Sequence, residues 1–466
     1  MDEISLRIPS VLAGVGTVFL TTLLGMRQFS PVIGCLAGLI ITTCWRFAYL
    51  GSHARIDMLF TFFITLAFVA LWELTRNGKQ DRWLKWLAGI AVGLAVLTKG
   101  PLGWLFPLLA IFIFSRISKT GPVPWSYLFW LPLGMAGLWL AFGLIDGGKE
   151  FSTMIYQETL GRISGSETIQ IHRKPVFYYI PQILGGMAPW SLFLPFAIWH
   201  GMKHRDIPWK FCAIALATLF IFLSLYPGKR GDYLLPLYPM GAIILAVFFA
   251  RFGSANSDIN RGMSFPAWTI MGTMMVLALV LILAALLPQL NFDSFSAFLN
   301  SRDRWMAQLL YDRHRPSGLL LAMGAWGMLI FSQYIREALN KFSGIKMTGL
   351  IAGWAFLLFL GIHGPAARIV NEHTSFRPFA EKIKQIAGNR PLLNYGKARE
   401  DLRYYLDLPV KEVFSGSAFQ ELSERHNAVL LIKKSQSQAL LKNFPEQKII
   451  LEMDAAFKPY QLIGKP

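Results

Sequence analysis

The chain returns repeatedly to apolar stretches of membrane-spanning length. They can be read at about 9–26, 31–48, 58–74, 125–145, 177–199, 209–226, 234–250, 266–288, 317–335 and 348–363. A helix crosses a bilayer with roughly 17–25 apolar residues. A further stretch, 86–115, is too long for one span. "TKGP" interrupts it, and Pro101 cannot extend a helix because its ring clashes with the preceding turn. It reads as two helices, 86–98 and 101–115, meeting at Lys99. The total is twelve. The fold class is therefore mostly α, a polytopic helical membrane protein of about 12 transmembrane helices. Composition agrees, since 15% of residues are charged where a soluble domain has about 25%.

Twelve spans put both ends of the chain on one side. The loops on the other side hold 14 Lys/Arg in 60 residues, against 13 in 85 for the loops sharing a side with the termini. The positive-inside rule makes the denser set cytoplasmic, which places Lys99 at the outer face. The net charge of +18 suits cytoplasmic loops and anionic head groups. No nucleic-acid partner is expected, because no soluble segment carries a basic stripe interleaved with aromatics. Cys35, Cys44 and Cys212 lack metal-ligand spacing and read as small hydrophobes. Two domains are expected, a membrane domain over 1–363 and an outer domain over 364–466. In the second, "PLLNYG", "AVLLIKK" and "KIILEMDA" read as strands, and "SFRPFAEKIKQIAG" and "SQSQALLKNF" as helices between them. That is a small C-terminal α/β unit.

Lys99 sits inside an apolar run, where an ammonium in hydrocarbon costs roughly 2.5–3.5 kcal/mol. At the tip of a helical hairpin it can instead face an outer cavity. Three further outer segments carry unusual groups. "GSHARIDMLF" (51–60) sets His53, Arg55 and Asp57 just before a helix, where Asp57 is either a capping residue or a functional acid. The long loop 146–176 carries Glu158, Arg162, His172, Arg173 and Lys174. It is either a solvated amphipathic segment or a functional loop. "LSLYPGKRGDYLLPLYP" (223–239) places Lys229 and Arg230 between Tyr226 and Tyr233. These four are either an interfacial anchor or a phosphate clamp, with a point charge, a bidentate fork and hydroxyl donors. A basic outer pocket at membrane depth suits a lipid-linked phosphate.

Taken in order, "LRIPSVLAG" (6–14), "ARIDMLFTFF" (54–63), "LAVLTKGPLGWLFP" (94–107), "ETLGR" (158–162), "HRKPVFYYIPQILGGMAPWSLFLP" (172–195) and "GKRGDYLLPLYP" (228–239) resemble one family. It is the C superfamily of lipid-linked-sugar glycosyltransferases, within it the protein O-mannosyltransferase and aminoarabinose (lipid A) transferase group. The resemblance implies transfer of a sugar from a polyprenyl (undecaprenyl) phosphate carrier to a lipid A, glycan or protein acceptor. The reaction would take place at the outer face of a bacterial inner membrane, with the C-terminal domain periplasmic. It implies phosphate contacts by Lys99, Arg173, Lys229 and Arg230, supported by Tyr179 and Tyr233. Asp57, Glu158 and His172 become the acid/base or acceptor-orienting candidates. None of these residues makes a cofactor certain, and a divalent metal stays open. Thr159, where members often carry His, removes a ligand from "ETLGR".

The family pattern also has one more helix, and an outer loop with an Asp-Glu motif, ahead of the first match. By that pattern residues 1–466 are expected to be an N-terminally truncated form, inactive in transfer yet able to bind lipid phosphate. Two other functions compete, a twelve-helix secondary transporter and a catalytically dead lipid-phosphate-binding subunit. The transporter predicts two similar halves, and the long loop and split hairpin have no second-half counterpart.

Overall fold

A computed structural model describes residues 3–77, 81–156, 174–204, 206–226, 228–252, 257–286 and 318–360. Within 375–464 it describes all but 389, 397, 399, 407–408, 415–427, 444–445 and 456–457. The chain divides into two compact units, residues 1–283 with 322–357, and residues 284–321 with 358–466.

The first unit opens with α1 (Glu3–Gln28), α2 (Pro31–Thr42), α3 (Trp45–Gly51), α4 (Ile56–Asn77), α5 (Arg82–Lys99), α6 (Leu102–Ser118) and α7 (Trp125–Tyr156). It continues through α8 (Tyr179–Gly186), α9 (Leu194–His204), α10 (Ile207–Leu225), α11 (Tyr238–Ala250) and most of α12 (Ser257–Leu286), α13 (Gly318–Asn340) and α14 (Gly344–Leu358), whose residues 284–286, 318–321 and 358 fall in the second unit. Among the described residues six helical segments are long and apolar enough to cross a membrane, and α2 with α3, bent by 70°, makes a seventh if counted as one broken span. The hydroxyls of Thr17, Thr21, Thr61 and Thr65 each donate to the carbonyl four residues back at 2.7 Å. In an apolar helix this satisfies a polar group that has no water to turn to. Small residues let backbones meet: the Cβ of an alanine at Gly25 would lie 2.9 Å from the Cα of Gly34. Close approach of this kind is how membrane helices gain packing energy without a hydrophobic drive.

Two stretches depart from the sequence expectation. The span expected over 31–48 bends between Thr42 and Trp45. The span expected over 177–199 is not one helix. It is a 3-10 turn at Val176–Tyr178, then α8, a second 3-10 turn at Trp190–Leu192, and α9. Pro181, Pro189 and Pro195 remove donors from the ladder, and Gly185-Gly186 loosens it.

The second unit holds α15 (Arg377–Ala387), β1 (Leu392–Tyr395), α16 (Glu400–Leu406), β2 (Val410–Val413), β3 (Val429–Lys433), α17 (Lys434–Asn443), β4 (Lys448–Ala455) and β5 (Lys458–Gly464). The sheet order is β2-β1-β3-β5-β4. β1 runs parallel to β2 and β3, while β5 is antiparallel to β3 and β4. Alternation along the strands sends Leu392, Val429, Leu431 and Leu462 into one cluster with Phe379 and Ile383 of α15. It sends Leu393, Leu430, Ile432 and Ile463 into another with Leu440 of α17. A sheet buried on both faces explains why "AVLLIKK" is a continuous apolar run. The three expected strands and two expected helices are all present. The short β2, α16 and the closing strand β5 join them.

Candidate functional site

The site begins with a hairpin. α4 and α5 pack together, joined by a short connection, so the start of one meets the end of the other. Asp57 lies in the first turn of α4 and Lys99 in the last turn of α5. The α5 helix stops there because Gly100 adopts φ 64°, a conformation that favours glycine, and Pro101 follows. Residues 42 apart in sequence thereby form an ion pair between Lys99 Nζ and Asp57 Oδ1. Their side chains are 14% and 11% exposed. The ammonium also lies 4.6 Å from the ring centroid of Tyr233 and 5.2 Å from that of Phe60. Aromatic faces attract a cation most where water is scarce.

Tyr233 arrives on the 3-10 helix Gly231–Leu237, which packs against α4. Upstream of it the turn carries Lys229 and Arg230. Lys229 is buried, and its Nζ donates to the carbonyls of Tyr226 (2.6 Å) and Lys174 (3.2 Å). Two of its three donors are thus taken by backbone, so it ties the turn to residue 174. Arg230 is exposed. Tyr179, at the start of α8, is fully buried beside the backbone of Arg230. The segment before α4 is also fixed. Arg55 N donates to Ser10 Oγ (2.9 Å), and Ser10 Oγ donates to the carbonyl of Arg55 (3.0 Å). His53 faces its own helix end, with Nδ1 2.7 Å from the Tyr49 carbonyl and its ring stacked on Tyr49.

Asp57, Lys99 and Tyr233 therefore come together, with Lys229, Arg230 and Tyr179 around the adjoining turn. Glu158, His172 and Arg173 lie outside the described residues. Among the described residues no cluster of three or more His, Cys, Asp or Glu is placed to hold a metal ion. All three cysteines are free; Cys44 Sγ donates to the Ile40 carbonyl and Cys212 Sγ to Gln28 Oε1.

Sequence reasoning missed two residues beside this turn. Arg46 Nη2 donates to Gln182 Oε1 at 2.8 Å, across 136 residues of sequence. The signal was available: Arg46 interrupts the apolar stretch 31–48 as Lys99 interrupts its own.

Three comparisons bear on this arrangement. Residues 1–145 match the family model described as dolichyl-phosphate-mannose-protein mannosyltransferase. The chain is 27% identical over 401 residues to the undecaprenyl phosphate-alpha-4-amino-4-deoxy-L-arabinose arabinosyl transferase of Pseudomonas aeruginosa, covering 83% of this chain and 67% of that protein. It is similar in structure to ArnT from Cupriavidus metallidurans in the apo state, with TM-score 0.74 and 17% identity over 98% of this chain and 83% of the other. The same protein bound to undecaprenyl phosphate gives TM-score 0.71 and 16% identity, over 99% and 84%. At such identities the structural likeness carries the fold.

Proposed function

We propose, from the premise that the chain is a lipid-linked-sugar glycosyltransferase of the C superfamily and of the aminoarabinose transferase type, that the Asp57–Lys99–Tyr233 cluster and the Lys229–Arg230 turn are its active site. The donor is a sugar on a polyprenyl (undecaprenyl) phosphate, and the acceptor is lipid A, another glycan or a protein. Transfer takes place at the outer face of a bacterial inner membrane, the side on which residues 364–466 lie as a periplasmic unit.

The observation that supports this most is the convergence of a carboxylate, an ammonium and a tyrosine ring at one end of the α4–α5 hairpin. In transfer, an acceptor oxygen attacks the anomeric carbon of the sugar. The bond from that carbon to the carrier phosphate oxygen breaks, and negative charge accumulates on the phosphate. Cations already in place at that oxygen stabilise the charge without reorganising. Lys99 supplies a point charge and Arg230 a planar fork that fits two phosphate oxygens. Tyr233 and Tyr179 support the turn. Asp57 accepts the proton of the acceptor or orients it. Glu158 and His172 share that task, and Arg173 contacts the phosphate.

The test is sugar transfer from a polyprenyl-phosphate-linked donor to lipid A in vesicles carrying the purified chain. Polyprenyl phosphate binding by the wild type is expected, and any transfer it supports should be lost in Asp57→Asn and Lys99→Met. Full turnover in Asp57→Asn would remove Asp57 from the mechanism. Absence of both transfer and polyprenyl phosphate binding in the wild type would overturn the assignment of the site.

A further inference from the structure

Arg46 stands one residue inside α3, just after the 70° break. A guanidinium does not shed its proton in a protein, so its charge must be accommodated wherever it is buried. The start of α3 is pinned by the Trp45 N–H, which donates to the Ala188 carbonyl at 3.1 Å. From there the side chain reaches Gln182, which accepts from Nη2. The other terminal nitrogen, Nη1, is buried without a hydrogen-bond partner.

Two glycines from distant segments make room for this group. A Cβ at Gly231 would collide with Arg46 Nη1, and would sit 2.5 Å from Gln182 Oε1 and 2.9 Å from Arg46 Cζ. The Cα of Gly231 therefore rests directly on the guanidinium–amide pair. A Cβ at Gly186 would lie 3.3 Å from Arg46 Cβ and 3.4 Å from Nε, and would collide with the buried hydroxyl of Tyr238. Gly231 is the residue between Arg230 and Asp232, and Tyr233 follows. Among the described residues no carboxylate pairs with Arg46, Asp232 included. An unpaired charge held this close to low-dielectric surroundings is costly and favours an anion nearby.

We infer that Arg46 is a positioning residue of the carrier-phosphate site. Braced by Gln182, it forms the floor under Gly231. It sets the height of the turn that presents Arg230 and Tyr233, and adds a fixed positive charge beneath the phosphate. The inference rests on the reading of that turn as the phosphate site.

The test compares binding of polyprenyl phosphate and of the uncharged polyprenol of the same length to the full chain in detergent, across a salt series. In Arg46→Gln, polyprenyl phosphate affinity should fall on the order of tenfold and its salt dependence flatten, while polyprenol affinity stays unchanged. Arg46→Lys should keep the salt dependence with a smaller loss, because the charge remains and the fork is gone. Gly231→Ala retains every charge yet lifts the turn, so it too should weaken phosphate binding alone. If Arg46→Gln does not fold, Arg46→Lys and Gly231→Ala carry the test. Equal losses for both lipids would reduce Arg46 to a structural role and overturn the inference. So would wild-type phosphate binding in Gly231→Ala. Arg230→Ala keeps the two readings apart. Weak phosphate binding there with wild-type behaviour of the Arg46 variants sinks only the inference, whereas wild-type binding there sinks the site itself.

Discussion

Each unit of the molecule contains a lysine paired with a carboxylate from a distant part of the chain. Lys99 meets Asp57 across 42 residues, with side chains 14% and 11% exposed. Lys434 meets Glu452 across 18 residues, with side chains 49% and 41% exposed. The chemistry is the same and the solvent is not. At the exposed pair water screens the attraction and competes for every donor, so little stability comes of it. At the buried pair the attraction is stronger, yet each ion has given up hydration worth several kcal/mol. Apolar residues of similar volume often replace a buried pair at no cost. Stability is thus a weak reason for Asp57 and Lys99 to lie together, and availability for chemistry is a better one.

That contrast can be broken at its strongest point. Asp57→Leu leaves Lys99 with a charge and no carboxylate partner, and should destabilise the chain by about 3–5 kcal/mol. Asp57→Leu with Lys99→Met removes both charges and should return thermal stability in detergent close to wild type. Neither variant should transfer sugar. If single and double variants unfold at the same temperature, the two residues are not coupled. The pair would then be incidental.

The next largest effects should separate the neighbours Lys229 and Arg230. Lys229→Ala leaves the Tyr226 and Lys174 carbonyls without their donor, a loss of roughly 1–3 kcal/mol in unfolding free energy. Arg230 is exposed, so Arg230→Ala should change stability by no more than about 0.5 kcal/mol. It should nonetheless weaken polyprenyl phosphate binding, and the double variant should weaken it further. Normal lipid binding in Arg230→Ala and in the double variant would make this turn an interfacial anchor.

Legibility in the sequence followed how local each cause was. Over their described residues ten of the twelve apolar stretches are helical without a break, because hydropathy acts over a window the sequence displays. The Gly100-Pro101 break, with Lys99 at the helix end it makes, was readable for the same reason. So were β1, β3, β4, α15 and α17, whose apolar patterns stand out. The segment 177–199 was misread because its hydropathy is that of a span, while three prolines decide its backbone. Lys229 reads as a basic tip, but the turn folds its ammonium back onto two carbonyls, a fact of tertiary geometry. The Lys99–Asp57 contact is implied only once α4 and α5 are known to form a hairpin. Arg46 and Gln182 are further still from local inference. Nothing near either residue names the other, and the space they fill exists only where Gly186 and Gly231 face it.

The smallest effect belongs to the exposed pair, and its pH dependence sharpens the comparison. Hydrogen bonds from Lys434 and Gln461 hold the carboxyl of Glu452 below its ordinary pKa. A carboxylate whose pKa is lower folded than unfolded adds stability above the unfolded value, about 4.3. That contribution is lost as pH falls through the lower folded value. Glu452→Gln should therefore speed amide hydrogen exchange in β4 and β5 of the full chain slightly at pH 7, and the difference from wild type should close under acid. The same substitution at the buried pair, Asp57→Asn, should show its main effect in transfer at neutral pH. A large loss of protection throughout the second unit in Glu452→Gln would mean that exposure is a poor guide to what an ion pair contributes here. A lysine and a carboxylate would then count alike in both units.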